Sequence, residues 1–207
     1  MNDETPDREA ALEISRALRG VGTELISDAL RRLGSTNYVL TGLGPVPDGR
    51  LTNGDRVAGP AFTIQRAPAN RAHVSHASLR EEFHQAVGSA KAGEVVVLGA
   101  FGTDEAVWGD GVTLLCKQRD IAGAVVDGAI RDSGMVRDVG LTVFARGRNF
   151  YSSGQVVLGV GAPVCIGGAI VRPGDVIVGD DDGVLVVAVE LFPVILGEVE
   201  KHPIRRQ

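Results

Sequence analysis

The sequence predicts an α/β fold in a single domain spanning residues 1–207, with a β-rich second half and short helices near both ends. Three observations carry this prediction. Apolar runs alternate with helical segments through the middle of the chain, a pattern that pairs strands in parallel. From Gln155 onward, short β runs are separated by Gly, Pro and Asp. The 28 glycines imply many tight turns, because glycine reaches backbone angles closed to other residues.

Residues 8–19 and 24–33 show helical periodicity. In the second, Leu25, Ile26, Ala29, Leu30 and Leu33 share a face, Thr23 suits an N-cap and Gly34 a stop. The Gly- and Pro-rich stretch 42–59 reads as a loop leading into a strand at 58–65. A helix is expected over 78–90, and EVVVLG at 94–99 is a compact buried strand. Then follow a helix at 109–119, a strand at 122–126, a short helix at 133–138 and a strand at 142–145. Runs at 155–160, 163–166, 169–171, 175–178 and 183–189 make up the β-rich half. A closing helix over 190–200 admits Pro193 only in its first turn.

Composition excludes several classes of function. With 44% hydrophobic and 23% charged residues, the chain reads as an ordinary globular protein. Its net charge of −5 supplies no positive field for nucleic acid, and Lys201, Arg205 and Arg206 are too few to create one. Aromatic residues, at 4%, leave nearly no platform for stacked bases. No apolar run approaches the ~20 residues that cross a bilayer. The polar, acidic start at Met1 to Glu9 is unlike a secretory signal. Cys116 and Cys165 lie far apart, outside any CxxC spacing, so a reducing cytoplasm is the expected location.

The chemistry concentrates between Trp108 and Gly147. An apolar run, Ala124-Val125-Val126, ends in Asp127-Gly128, and the pair Arg131-Asp132 follows closely. One reading makes Asp132 the cap of the next helix, which leaves the cation at Arg131 unexplained. In the other, Arg131 grips an anionic oxygen while Asp132 ligates a hard divalent cation such as Mg²⁺ or Mn²⁺. Asp110 lies upstream, and a helix plus a returning strand can bring its carboxylate to the same mouth. Taken alone, Gly109-Asp110-Gly111 reads as a turn with an Asp N-cap; its amides can also hold a carboxylate at the helix start. Trp108 is expected in the core or at a rim.

Other motifs are weaker. Asp180-Asp181-Asp182-Gly183 lacks the ligand spacing of an EF-hand and reads as a turn between strands. The glycines at 159, 161, 167 and 168 do not precede a helix, so no dinucleotide fingerprint is supported. His73 and His76, with His84 nearby, offer an HxxH without a third spaced ligand, leaving a role at a substrate rim open. No GxSxG elbow is present, which disfavours nucleophilic catalysis.

Three segments, GAFGTDEAVWGD, AGAVVDGAIRDSGMVRDVGLTVFARG and RPGDVIVGDDDGVLVV, together with ISDALRRLG near the start, resemble the RraA-like family. This family includes the aldolases of 4-hydroxy-4-methyl-2-oxoglutarate and 4-carboxy-4-hydroxy-2-oxoadipate. The likeness covers nearly the whole chain, and the pattern Asp110-x20-Arg131-Asp132 is its specific part. It implies an α/β/β/α sandwich, a trimer or dimer of trimers, and an active site between subunits. Asp132 would be the direct ligand of the divalent metal and Asp110 would hold one of its waters. Arg131 would contact the keto or enolate oxygen of pyruvate. The amides around Gly109, Gly111 and Val112 would take its carboxylate. The family's aldolases add a glutamate from the C-terminal helix of a neighbouring subunit, for which Glu200 is the nearest candidate here, Pro203 standing near the expected position. Met135 replaces an acidic residue of the decarboxylating members, and Gly111-Val112 replaces a common pair of leucines.

The resulting expectation is a metal-dependent lyase (a class II pyruvate aldolase) acting on short 4-hydroxy-2-oxo acids and decarboxylating oxaloacetate. The alternatives are an RraA-type regulator that binds a ribonuclease, or a weakened homologue that binds a 2-oxo acid without turnover.

Overall fold

The computed structural model describes residues 8–47, 49–51, 56–69 and 75–201. At its centre, nine strands form one mixed sheet. In chain order they are β1 (Gly44–Val46), β2 (Val57–Pro68), β3 (Val95–Gly99), β4 (Ala106–Trp108), β5 (Gly123–Ile130), β6 (Val143–Arg148), β7 (Gln155–Val160), β10 (Val176–Asp180) and β11 (Gly183–Val187). The path runs β1-β6-β5-β3-β2-β10-β11, with β4 paired to β5 and β7 to β2. A separate hairpin joins β8 (Val164–Ile166) to β9 (Ala169–Val171). The pairs β2–β3, β3–β5, β4–β5 and β5–β6 are parallel, as the alternating pattern predicts.

Strand periodicity explains the layering. In β3, Val96 and Leu98 point to one side, where α3 (His76–Gly88), α4 (Asp110–Gln118) and α5 (Ser133–Val139) supply Phe83, Val87, Val112, Cys116 and Val136. The alternate residues Val95 and Val97 point the other way, onto Phe144, Ile177, Val184, Val186 and the β8–β9 hairpin. The outer face of β10–β11 (Val176, Val178, Leu185, Val187) is covered by α1 (Arg8–Leu18), α2 (Thr23–Arg32) and α6 (Phe192–Glu200). The order of layers is therefore α/β/β/α. The parallel strands are mainly apolar on both faces because both faces are covered, with Asp127 in β5 and Arg66 in β2 as buried charged exceptions.

Several local expectations are corrected. Thr23 is the first residue of α2 rather than its cap. Gly22 holds the cap position, while the Thr23 N–H and hydroxyl both donate to Asp180. That contact makes Asp180 a buried support for α2 within the expected β10–β11 turn. β1 and β4 were not foreseen, since three residues carry no periodicity and each forms only by pairing with a distant strand. β5 runs through Asp127-Gly128 instead of ending there. Asp127 is tolerated inside the strand because Arg146 pairs with it at 2.6 Å and Gly102 N–H donates to it at 2.8 Å. Pro193 does stand in the first turn of α6. His73 and Pro203 lie outside the described residues.

Candidate active site

The parallel strands β4 and β5 end side by side, Trp108 opposite Ile130, and both chains turn into helices there. In α/β sheets this carboxyl edge is where ligands bind. Arg131 follows β5 directly, its N–H donating to Trp108 O at 3.0 Å. Gly109 follows β4 and opens α4. The two corners touch: a methyl group at Gly109 would stand 3.0 Å from Asp132 Oδ2 and 3.3 Å from Arg131 Cγ. Glycine at 109 therefore leaves room for the Arg131–Asp132 pair.

Arg131 Nε and Asp132 Oδ2 lie 3.2 Å apart, with the side chains 48% and 39% exposed. An ion pair this wet adds little stability, so its meaning is positional. The sequence left open whether Asp132 merely caps α5. It occupies that N-cap position, but its side chain makes no cap hydrogen bond and its backbone is left-handed, at φ 53° and ψ 37°. A left-handed non-glycine residue carries strain of ~1–2 kcal/mol, which Asp bears better than most. The carboxylate is thus held outward beside Gly109 without a capping role.

Asp110 is the first residue of α4, not its cap, and its Oδ1 accepts the N–H of Gly111 at 2.6 Å. The turn is braced from below. Thr113 donates its hydroxyl to Gly109 O at 2.7 Å and accepts the Trp108 indole N–H at 2.8 Å. Trp108 is buried and packs edge-on to Phe83, with centroids 6.1 Å apart.

These corners form one wall of a cleft of about 560 Å³, lined by Gly109, Asp110, Gly111, Val112 and Arg131. Its opposite wall comes from α3, β2 and β7, including His76, Arg80, His84, Arg66 and Gln155. His84 donates its Nδ1–H to Arg80 O at 2.7 Å, so its Nε2 faces the Gly111 corner, 3.1 Å from where a methyl there would stand. Three arginines against one carboxylate among its lining residues make the cleft attractive to anions.

The arrangement therefore unites Asp110, Arg131, Asp132, Gly109, Gly111 and Val112. Glu200 ends α6 and does not line this cleft within the chain. Met135 is exposed on α5. Arg66 and Gln155 were missed from the sequence, since neither lies in a motif and only strand pairing brings them in; a charged residue, Arg66, within the mostly apolar β2 was the available sign.

The donor set suits a hard cation of the Mg²⁺ type. Such ions keep several waters and take only one or two carboxylates, as Asp132 and Asp110 offer. Among the described residues no group of three or more His, Cys, Asp or Glu could form an all-protein cage. A larger recess of about 830 Å³ opens at the amino ends of β2, β5 and β6, far from this chemistry. Its Asp180 is already engaged by Thr23 and Arg56. None of the described helices is long and apolar enough to cross a membrane.

Comparison with known proteins agrees with the fold and with the family resemblance. A protein of Halalkalibacterium halodurans, provisionally named a 4-hydroxy-4-methyl-2-oxoglutarate aldolase, is 36% identical over 181 residues, which are 86% of this chain and 78% of that protein. The crystal structure of Streptomyces coelicolor RraAS2, described as an unusual member of the RNase ES inhibitor RraA family, superposes with a TM-score of 0.80 at 30% identity. That match covers 96% of this chain and 94% of the other. The RNA-processing inhibitor RraA of the Thermus genus shares the fold at 21% identity, with a TM-score of 0.60 over 78% of this chain and 91% of that one. Residues 23–186 match the RraA-like family model, described as Aldolase/RraA, and the chain belongs to this family.

Proposed function

We propose that this protein is a divalent-metal-dependent lyase that cleaves short 4-hydroxy-2-oxo acids to pyruvate and also decarboxylates oxaloacetate. The observation that carries the reading is the meeting of Arg131 with the Gly109–Val112 corner in one anion-attracting cleft, with Asp132 set against that corner at Gly109. Asp132 would hold the cation directly and Asp110 would hold it through water; a bound Mg²⁺ or Mn²⁺ would supply positive charge that polarises the 2-oxo group.

The chain's own residues do the rest. The substrate carboxylate docks on the amides at the start of α4, displacing Asp110 from Gly111 N–H and freeing that carboxylate to turn into the cleft. Arg131 meets Asp132 through Nε, and its terminal nitrogens would reach the oxygen on which negative charge grows as the C–C bond breaks. The same enolate serves aldol cleavage and decarboxylation. Asp110 is the carboxylate placed to relay a proton within the cleft. Buried Trp108 and Phe83 keep the back of the site dry.

A homo-oligomer, trimer or dimer of trimers, fits the exposed Phe101, Phe150 and Tyr151, the last two immediately preceding cleft residue Ser152. Across such an interface Glu200 of a neighbouring copy would approach the cation's waters. The proposed setting is the cytoplasm.

The test is pyruvate release from 4-hydroxy-2-oxo acids and oxaloacetate with Mg²⁺ or Mn²⁺. Arg131→Ala and Asp132→Ala should each abolish it. Activity surviving either change would remove the site assignment. Absence of pyruvate from every substrate, with stoichiometric binding of a ribonuclease, would favour the regulator instead.

A further inference from the structure

His84 stands on α3, across the cleft from the corner where α4 begins. Its Nδ1–H is committed to Arg80 O at 2.7 Å, one helical turn back, and a carbonyl oxygen can only accept. The neutral ring is therefore fixed in the tautomer that leaves a lone pair on Nε2. Nε2 is also the ring atom nearest Gly111: a methyl there would stand 3.1 Å from it and 3.7 Å from Cε1. Because Gly111 carries no such methyl, the ring nitrogen comes within reach of whatever occupies the start of α4.

Among the described residues lining the cleft, the side chains able to accept a proton near neutrality are Asp110, His76 and His84; Arg66, Arg80 and Arg131 are guanidinium ions. Asp110 is already engaged with the cation's water in the reading above. His76 begins α3, and its ring lies beside Gly154, just ahead of β7, with Nδ1 3.4 Å from where a methyl there would stand. His84 is thus the base that faces the substrate corner, and imidazole is well matched to proton transfer near neutral pH.

The two reactions of the cleft share an enolate but differ in one proton. Aldol cleavage must remove the proton of the 4-hydroxyl, whereas decarboxylation of oxaloacetate has no such hydroxyl and needs no base. With the C1 carboxylate on the α4 amides and the 2-oxo oxygen at Arg131, both anchors lie on one wall. C4 then extends toward α3, where His84 stands.

We propose that His84 is the general base of aldol cleavage, taking the 4-hydroxyl proton on Nε2. This assignment rests on the reading of the cleft as a 2-oxo acid site. As the proton passes to Nε2, the oxygen's electron pair forms the new C4=O bond and the C3–C4 pair becomes the enolate of pyruvate. A proton delivered at C3 by way of Asp110 completes pyruvate. The half-buried His84 releases its own proton to solvent, so one proton enters and one leaves.

The test compares two substrates in one variant. The full chain with Mg²⁺ is assayed on 4-hydroxy-4-methyl-2-oxoglutarate and on oxaloacetate, beside His84→Asn. Asparagine keeps an N–H donor for Arg80 O but has no basic atom. Cleavage of the hydroxy acid should fall by about 100-fold in kcat, the scale of a lost general base, while decarboxylation stays within severalfold of wild type. The variant should melt within a few degrees of wild type, since the substitution lies on a partly exposed helix face. Equal loss of both rates would show that His84 only binds substrate or supports the cleft, and retention of both that another group takes the proton. Either result overturns the base and leaves the lyase reading intact, as does a wild-type protein that decarboxylates oxaloacetate but cleaves no hydroxy acid. Pyruvate from neither substrate removes the lyase reading and the base with it. A second readout needs no turnover: imidazole ¹⁵N shifts of the wild-type protein at mildly alkaline pH, with the His84 signals identified by their loss in the variant. They should report the Nδ1–H tautomer, and an Nε2–H ring overturns the proposal.

Discussion

Gly109→Ala tests the junction on which the site depends, because it inserts a single methyl group between the two corners. Gly109 has an extended backbone, φ −164°, that alanine adopts freely, so no conformational strain is added. The new carbon would stand 3.0 Å from Asp132 Oδ2, 3.3 Å from Arg131 Cγ and 3.5 Å from Arg131 Nε. Those separations fall short of comfortable contact by a few tenths of an ångström, and both side chains are partly exposed and able to move. The stability cost should therefore stay within about 1 kcal/mol, or a melting shift of about 2–4 °C at this chain length. Catalysis has less tolerance, since misplacing a binding group by ~1 Å can cost on the order of 100-fold. Pyruvate release with Mg²⁺ should fall at least tenfold in kcat/KM, while the melting temperature stays nearly unchanged. A variant that keeps wild-type kcat/KM would show that the touching corners are not where substrate and cation meet.

Two further outcomes follow from buried groups. Burial pushes the Asp175 carboxyl above its usual range although the amides of Arg172 and Val189 donate to it. A carboxyl raised in the fold favours the folded state fully below its unfolded pKa, near 4, and this contribution is lost as pH rises through the folded value. Urea unfolding of Asp175→Asn and wild type should therefore show the difference moving in favour of the variant between pH 4 and pH 7; a constant difference would contradict it. Burial likewise pushes the Cys116 thiol up to about 12, whereas Cys165 is exposed. A thiol reagent at neutral pH should label Cys165 rapidly in the native protein and reach Cys116 only on unfolding.

Long periodic segments were legible from the residues alone. The helices α1 to α4 and α6 and the buried β3 follow from spacing, because each depends on neighbours a few residues away, and the parallel pairing follows from the alternation of strands with helices. β1 and β4 were not legible, since a three-residue strand exists only through its partner. The same limit applied to β5, whose Asp127 reads as a strand end until Arg146, nineteen positions on, is known to neutralise it.

The sequence by itself determined the α/β class and the order of most elements, since residue types and their spacing encode these, and it singled out Asp110, Arg131 and Asp132 as a candidate set. Tertiary structure alone decided that Gly109 leaves room for the Arg131–Asp132 pair, that Asp132 sits left-handed with no capping bond, and that Arg66 and Gln155 line the same cleft. The physical reason is that these are contacts between strand ends distant in sequence. Their energies depend on sub-ångström separations and on burial, which no local pattern records.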